Sequence, residues 1–260
     1  MRLIDTHCHL AHDRLRKQMQ AVLARAQDAG VTQVICAAGN VDESKAALAV
    51  ARREDGVFCT AGVHPHDARS AAAGYLGAVE DLAADPNTAA IGEIGLDYHY
   101  DYSPRDDQRR VFAEQLDLAG RLGKPVVIHT REALADTMAI LAESGVDGRR
   151  VVFHSFTEGP EEARGVLDLG ATISFSGIVT FRRADELRRA AQLVPDDRIL
   201  IETDAPFLSP EPVRGMRTNE PANVAHVAGR LAELRGITLE RFAELTTSNA
   251  ERLFGLPAGA

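Results

Sequence analysis

Short apolar runs alternate with longer amphipathic stretches along the whole chain. The runs fall at residues 3–6, 32–37, 57–63, 88–94, 125–128, 150–153, 171–175 and 198–203. They are rich in Val and Ile and apolar on both faces, as parallel strands buried beneath helices should be. Helix patterns with start and stop signals lie between them. Leu15, Met19, Val22, Leu23 and Ala26 recur every three to four residues, and Gly30 is placed for a left-handed stop. Ser103-Pro104 followed by Asp106 predicts an N-cap, a proline at the first helical position and an acid in the first turn. That helix carries Val111, Phe112, Gln115, Leu116 and Ala119 and closes near Gly123. Gly145 and Gly170 are placed to end two more, and from Glu220 the chain reads as two or three helical pieces stopping at Gly255.

No linker, charge block or low-complexity stretch divides this alternation. Eight strand–helix units predict one domain over residues 1–260, a (β/α)8 TIM barrel. An open doubly wound sheet is the alternative, but Thr6-His7-Cys8-His9 stands where its glycine fingerprint belongs. The length of 260 residues suits a barrel, which typically takes about 250.

Charge narrows the function classes. Lys+Arg 29 against Asp+Glu 38 leaves a net charge of −9, which argues against a protein that coats nucleic acid or anionic membrane non-specifically. A polyanion must then be gripped locally, by a metal or a small arginine cluster. Cys8, Cys36 and Cys59 are odd in number, and their spacing makes neither a zinc knuckle nor a disulfide framework. The N-terminus lacks an apolar signal core, and no apolar run approaches the ~20 residues that span a bilayer. The expectation is a reduced, cytoplasmic protein with no membrane attachment and no obligate protein partner.

Barrel enzymes carry their catalytic groups at the C-terminal ends of the strands. His7 and His9 follow the first run, and His64 the third; Glu93 closes the fourth, His129 the fifth, His154 the sixth and Asp204 the eighth. Alternation puts His7 and His9 on one face, with Leu3 and Asp5, and turns Cys8 away. His-x-His at a strand end is a two-pronged chelate. Six donors exceed what one catalytic zinc takes and suit two ions sharing a carboxylate, about 3.5–4 Å apart. Glu93 is the natural bridge. One ion would take His7, His9, Glu93 and Asp204, and the other Glu93, His129 and His154. Mixed nitrogen and oxygen donors suit Zn2+ or Mn2+; Mg2+ prefers oxygen, and the identity stays open. Glu202 has the parity of Asp204 one layer deeper. It either hydrogen-bonds a ligating imidazole from behind or pairs, buried, with a lysine or arginine, and Asp5 below His7 has the same two readings.

The motifs Asp5-Thr6-His7-Cys8-His9-Leu10, Gly62-Val63-His64-Pro65-His66, Gly92-Glu93-Ile94-Gly95-Leu96-Asp97-Tyr98, Val127-Ile128-His129-Thr130-Arg131-Glu132-Ala133, Phe153-His154-Ser155-Phe156, Ile173-Ser174-Phe175-Ser176-Gly177 and Glu202-Thr203-Asp204-Ala205-Pro206 occur in this order. Asn219-Glu220-Pro221 and the closing Asn249 with Arg252-Leu253-Phe254 complete the set. The chain resembles the TatD family of metal-dependent hydrolases over nearly its whole length. The resemblance implies an amidohydrolase-like barrel, a two-metal site and phosphodiester hydrolysis, often as a deoxyribonuclease. It carries the ligand roles onto His7, His9, Glu93, His129, His154 and Asp204. Two departures fall in the last loop: the segment from Arg214 to Asn219-Glu220-Pro221 is one residue longer than usual, and Asn223 replaces a common aromatic.

The expected reaction is hydrolysis of DNA phosphodiesters, as a 3'-5' exonuclease on single strands or ends, with two divalent ions activating water. Asp204 is the expected general base. His64 either orients the phosphate or protonates the leaving oxygen, or is a loop histidine fixed by Pro65; His66 is a weaker candidate. Arg131, Arg217 and Asn219 are the expected substrate contacts. Arg182 and Arg183 read either as further contacts or as a solvated helix start. Tyr98, Tyr100 and Tyr102 either stack on a base or pack the rim. The alternative function is hydrolysis at a carbonyl, as an amidohydrolase or a deacylase of aminoacyl esters or charged tRNA; a catalytically silent metal-binding scaffold is a third reading.

Overall fold

The computed structural model describes residues 1–258. Eight strands form one sheet in chain order: Leu3–Cys8 (β1), Val31–Cys36 (β2), Val57–Ala61 (β3), Thr88–Asp97 (β4), Val126–Arg131 (β5), Val151–Phe153 (β6), Thr172–Phe175 (β7) and Ile199–Ile201 (β8). Every neighbouring pair is parallel. The ring closes where Asp204 N–H donates to His7 O at 2.9 Å and His9 N–H to Ala205 O at 2.6 Å. The fold is a (β/α)8 TIM barrel. All eight predicted runs are strands, although β4 and β5 extend well past their apolar stretches.

The helices are Asp13–Arg16 (α1), Met19–Asp28 (α2), Val41–Ala51 (α3), Tyr75–Ala83 (α4), Arg105–Leu122 (α5), Leu134–Ser144 (α6), Pro160–Asp168 (α7), Asp185–Leu193 (α8), Val224–Arg235 (α9) and Leu239–Phe254 (α10). Two expectations need correction. The Leu15–Ala26 pattern is split between α1 and α2. Pro104 is extended at φ −53°, ψ 139° and precedes α5, so it is the N-cap and not the first helical residue. The Ser103 hydroxyl does not cap the helix; it donates to His66 O and accepts from Arg69 N–H.

Strand alternation sorts the core into two layers. Leu3, Val31, Val57, Val126, Ile128, Val151, Ile173 and Ile199 pack against the helices. Ile4, Ile35, Val127, Val152 and Leu200 fill the barrel interior, closed at the base by Phe254 and Leu256 at the end of α10. The ladder shifts register at several places, and two of these shifts bear on the site. Register shifts lie between Asp5 and Cys8 in β1 and between Ile91 and Ile94 in β4. Ile91 and Ile94 both face the helices, so Gly92 and Glu93 occupy the space of one residue. Such bulges re-aim side chains, and they fall at His7 and Glu93. Gly95 is obligatory nearby: its φ is +135°, and a Cβ there would lie 2.0 Å from His129 O.

Among the described residues no helix is long and apolar enough to cross a membrane.

Candidate metal centre

The bulges bring the strand-end residues to one point at the C-terminal rim. Glu93 sits at the middle, almost buried. Its Oε2 lies 3.2 Å from His7 Nε2 and 3.9 Å from His9 Nε2. Asp204 Oδ1 completes that side, 3.4 Å from His9 Nε2 and 3.9 Å from His7 Nε2. Glu93 Oε1 faces the other way: His154 Nε2 at 2.8 Å, His129 Nδ1 at 3.0 Å and His64 Nε2 at 3.3 Å. The two oxygens of one carboxylate thus divide the histidines into two lobes. All six residues picked as ligands converge there, and His64 joins them in the second lobe. Asp204 holds φ 55°, a left-handed conformation that Asp tolerates.

Carboxylates stand behind two of the imidazoles. Glu202 is fully buried; it accepts from Ser155 N–H at 2.7 Å and lies 3.1 Å from His154 Nδ1, while Ser174 Oγ donates to it at 2.5 Å. Among the described residues it has no lysine or arginine partner within 4 Å, so the reading as a buried ion pair fails. Asp97 plays the same part for His129, its Oδ2 3.0 Å from Nε2, and it also meets His66 Nε2 at 2.9 Å. Sequence reasoning missed Asp97. The signal was present: Glu93, Gly95 and Asp97 alternate on one face beyond the β4 bulge. Such outer carboxylates fix ring orientation and leave the opposite nitrogen for a cation. Asp5 touches no imidazole nitrogen. It accepts from Thr203 N–H at 2.9 Å and Thr203 Oγ1 at 2.6 Å, tying β1 to the segment that carries Asp204. Burial pushes its carboxyl up to about 8, against those bonds.

Electrostatics shows what the pocket wants. Burial works to raise Glu93, but His154, His64, His7 and His129 overcome it and hold the carboxyl well below its usual range. Asp204 is likewise held down, against burial, by His9. Burial works to lower His154, yet Glu93 and Glu202 drive it well above its ordinary value. His64 goes the other way: burial pushes it down to about 4, so its ring is neutral and a hydrogen-bond partner or ligand, not an acid. Among the described residues neither ring nitrogen of buried His7 has a hydrogen-bond partner. An orphaned buried polar group costs about 1–3 kcal/mol, and a cation on Nε2 would relieve it. Two of the donor groups of metal-binding type are His7, His9, Asp204 and His64, Glu93, His129. The donor set fits divalent cations.

The substrate candidates divide. Arg131 ends β5 at the rim, its guanidinium 4.8 Å from the Tyr100 ring centroid. Arg217 is exposed in the loop after β8. Asn219 is fully buried, and its amide donates to Thr203 O and Phe207 O while its Oδ1 accepts from Glu220 N–H and Asn223. It braces that loop and has no atom left for substrate, a correction to its expected role. Asn223 completes this brace, its amide donating to Asn219 Oδ1 at 2.9 Å. Tyr98 is tied to Asp136 at 2.6 Å and packs the rim, whereas Tyr100 and Tyr102 are 45% and 53% exposed and stack 5.3 Å apart. Phe207, 42% exposed, stands across the mouth, 5.9 Å from the His9 ring.

The TatD related DNase model matches residues 4–255. The chain belongs to the TatD family of metal-dependent hydrolases. It is 42% identical to the metal-dependent hydrolase YcfH of Escherichia coli K12, over 99% of this chain and 97% of that one. It is 37% identical to the 3'-5' ssDNA/RNA exonuclease TatD of the same organism, over 98% and 99%. The crystal structure of the Escherichia coli TatD homologue YjjV superposes with a TM-score of 0.92 at 30% identity, covering 98% of each chain. The protein is a hydrolytic enzyme that depends on metal.

Proposed function

We propose that this enzyme cleaves phosphodiester bonds of single-stranded DNA from the 3' end, with two divalent ions in the Glu93 pocket. The observation that carries the reading is the division of donors between the two Glu93 oxygens. His7, His9, Asp204 and Glu93 Oε2 would hold one ion; His129, His154 and Glu93 Oε1 would hold the other. Divalent ions so placed lower the pKa of water and offset charge on a phosphoryl oxygen. The chain's own groups do the rest. Asp204 presents Oδ1 to His7 and His9, which leaves Oδ2 to accept the proton of the attacking water. Neutral His64 orients the phosphate; Glu202 and Asp97 keep the rings of His154 and His129 aimed.

Strand binding falls to the rim. Arg14, Arg131, Arg182, Arg183, Arg214 and Arg217 are exposed there and have no carboxylate within 4 Å among the described residues. Arg131 is the phosphate grip, and the Tyr100–Tyr102 stack takes a base. Stacking tolerates any base, which suits an enzyme that trims strands. The Escherichia coli relative named for ssDNA and RNA supports this substrate class. Free, buried cysteines suit a reducing, cytoplasmic setting.

A metal-titrated screen of end-labelled single-stranded DNA, duplex DNA, RNA and aminoacyl esters tests the proposal, with Glu93→Ala as the blank. Laddering from the 3' end of single strands is expected. Internal cuts without laddering, or turnover of the aminoacyl ester alone, would overturn it.

A further inference from the structure

A cavity of about 700 Å³ opens at the opposite end of the barrel, beneath the N-terminal ends of β5–β8. Its walls carry Lys124, Arg149, Arg150, Arg198 and Arg252, against only Asp147 and Asp197. Arg149 is paired with Asp147 at 2.8 Å. The other four cations have no carboxylate within 4 Å among the described residues. This surplus stands out in a chain of net charge −9.

The cations are held by backbone carbonyls. Lys124 Nζ donates to Thr88 O at 2.5 Å, Arg198 Nη1 to Leu167 O at 2.9 Å, Arg150 Nη1 to Gly123 O, and Arg252 Nη2 to Asp197 O at 2.6 Å. Capping loop carbonyls is itself a structural role, but it uses only one of the five guanidinium donors on Arg150 and one on Arg198. A carbonyl also leaves the positive charge in place. The remaining donors belong to side chains that line a space the size of a ligand pocket, typically about 300–1,000 Å³. Leu253 and Phe254 add an apolar wall.

We propose that this basal cavity binds a small oligophosphate, either inorganic or as the phosphate chain of a nucleotide. Two or more linked phosphates supply the several acceptors and charges that Lys124, Arg150, Arg198 and Arg252 can meet together. The site is separate from the catalytic rim and does not rest on the reading of the substrate.

Calorimetric titration of the metal-loaded enzyme with pyrophosphate and with ADP tests it. One site per chain that persists in Glu93→Ala is expected. Arg198→Gln and Arg252→Gln should each weaken it by about tenfold to a hundredfold, as loss of charged hydrogen bonds does. Exposed Arg150→Gln serves as a third variant should either fail to fold. Glu93→Ala should leave the binding in place. ADP binding tighter than pyrophosphate marks a nucleotide, and equal affinity marks the phosphate chain alone. Binding abolished by Glu93→Ala and untouched by the arginine variants would assign the ligand to the metal centre and overturn the proposal, as would no binding of either probe.

Discussion

The two ends of the barrel use the same strands for opposite ends. Near the base, Val127, Val152 and Leu200 point inward and meet the Phe254 plug. Two residues further along each strand, the same face carries His129, His154 and Glu202. That step is only about 7 Å of strand. Below it, each buried side chain contributes favourable transfer of about 25 cal/mol per Å². Above it, carboxylates and imidazoles are desolvated, and neither ring nitrogen of His7 has a hydrogen-bond partner among the described residues. The fold is therefore held from beneath, and the rim is a cost that a cation offsets. Substitutions in the two layers should part cleanly into effects on activity and effects on stability.

The largest expected effect is at Glu93. Glu93→Gln removes the charge that both lobes share. Metal polarisation supplies several kcal/mol to catalysis, so activity should fall by about 10³-fold or more. Titration of bound metal should show loss of at least one ion. A variant that keeps both ions and activity within tenfold would end the bridging assignment. At the base, Phe254→Ala should instead cost about 3–5 kcal/mol of stability, read by denaturant unfolding. Its kcat, measured well below the midpoint, should be unchanged. A fall in kcat without a fall in stability would mean that the layers are coupled.

This division also explains what was legible in the sequence. The eight apolar runs and the convergence of six donors at one rim could be read because period-two burial and strand-end placement are local signals. Asn219 could not: its polar amide suits a phosphate as well as it suits the carbonyls of Thr203 and Phe207, and only the folded loop chooses. The re-aiming of His7 and Glu93 was hidden because a bulge adds a residue without changing composition. Alternation alone groups His7 with Leu3, yet Leu3 packs against the helices. The break between α1 and α2 escaped for a related reason, since a helical period says nothing of a turn at Lys17 and Gln18. The basal arginines lie far apart in sequence, and only the fold gathers them at one cavity.

Smaller effects sharpen the contrast within the rim. Glu202→Gln keeps the size of the side chain but removes the charge behind His154. It should weaken metal binding by about 10–100-fold, with a matching rise in the metal concentration needed for half-maximal activity. Excess metal should restore kcat. Failure of rescue would make Glu202 part of the chemistry and not of the positioning. Tyr100→Ala with Tyr102→Ala should weaken single-strand binding by about 1–3 kcal/mol per stacked base. The loss should appear in KM for an oligonucleotide and be absent for a small phosphodiester with no base. Equal losses on both substrates would return the tyrosines to a packing role.

The smallest effect is expected at Cys8, which lies between His7 and His9 in sequence. Its side chain is buried in the layer that faces the helices, and burial drives its thiol well above the ordinary value. It therefore stays a protonated thiol, unlike a zinc-binding cysteine, which must be a thiolate. Cys8→Ala should cost about 1 kcal/mol of stability, a typical figure for a single core substitution. Metal stoichiometry and kcat should not move. A lost ion in this variant would show that β1 presents three ligands in a row, which no strand alternation allows, and would redraw the bulge that aims His7.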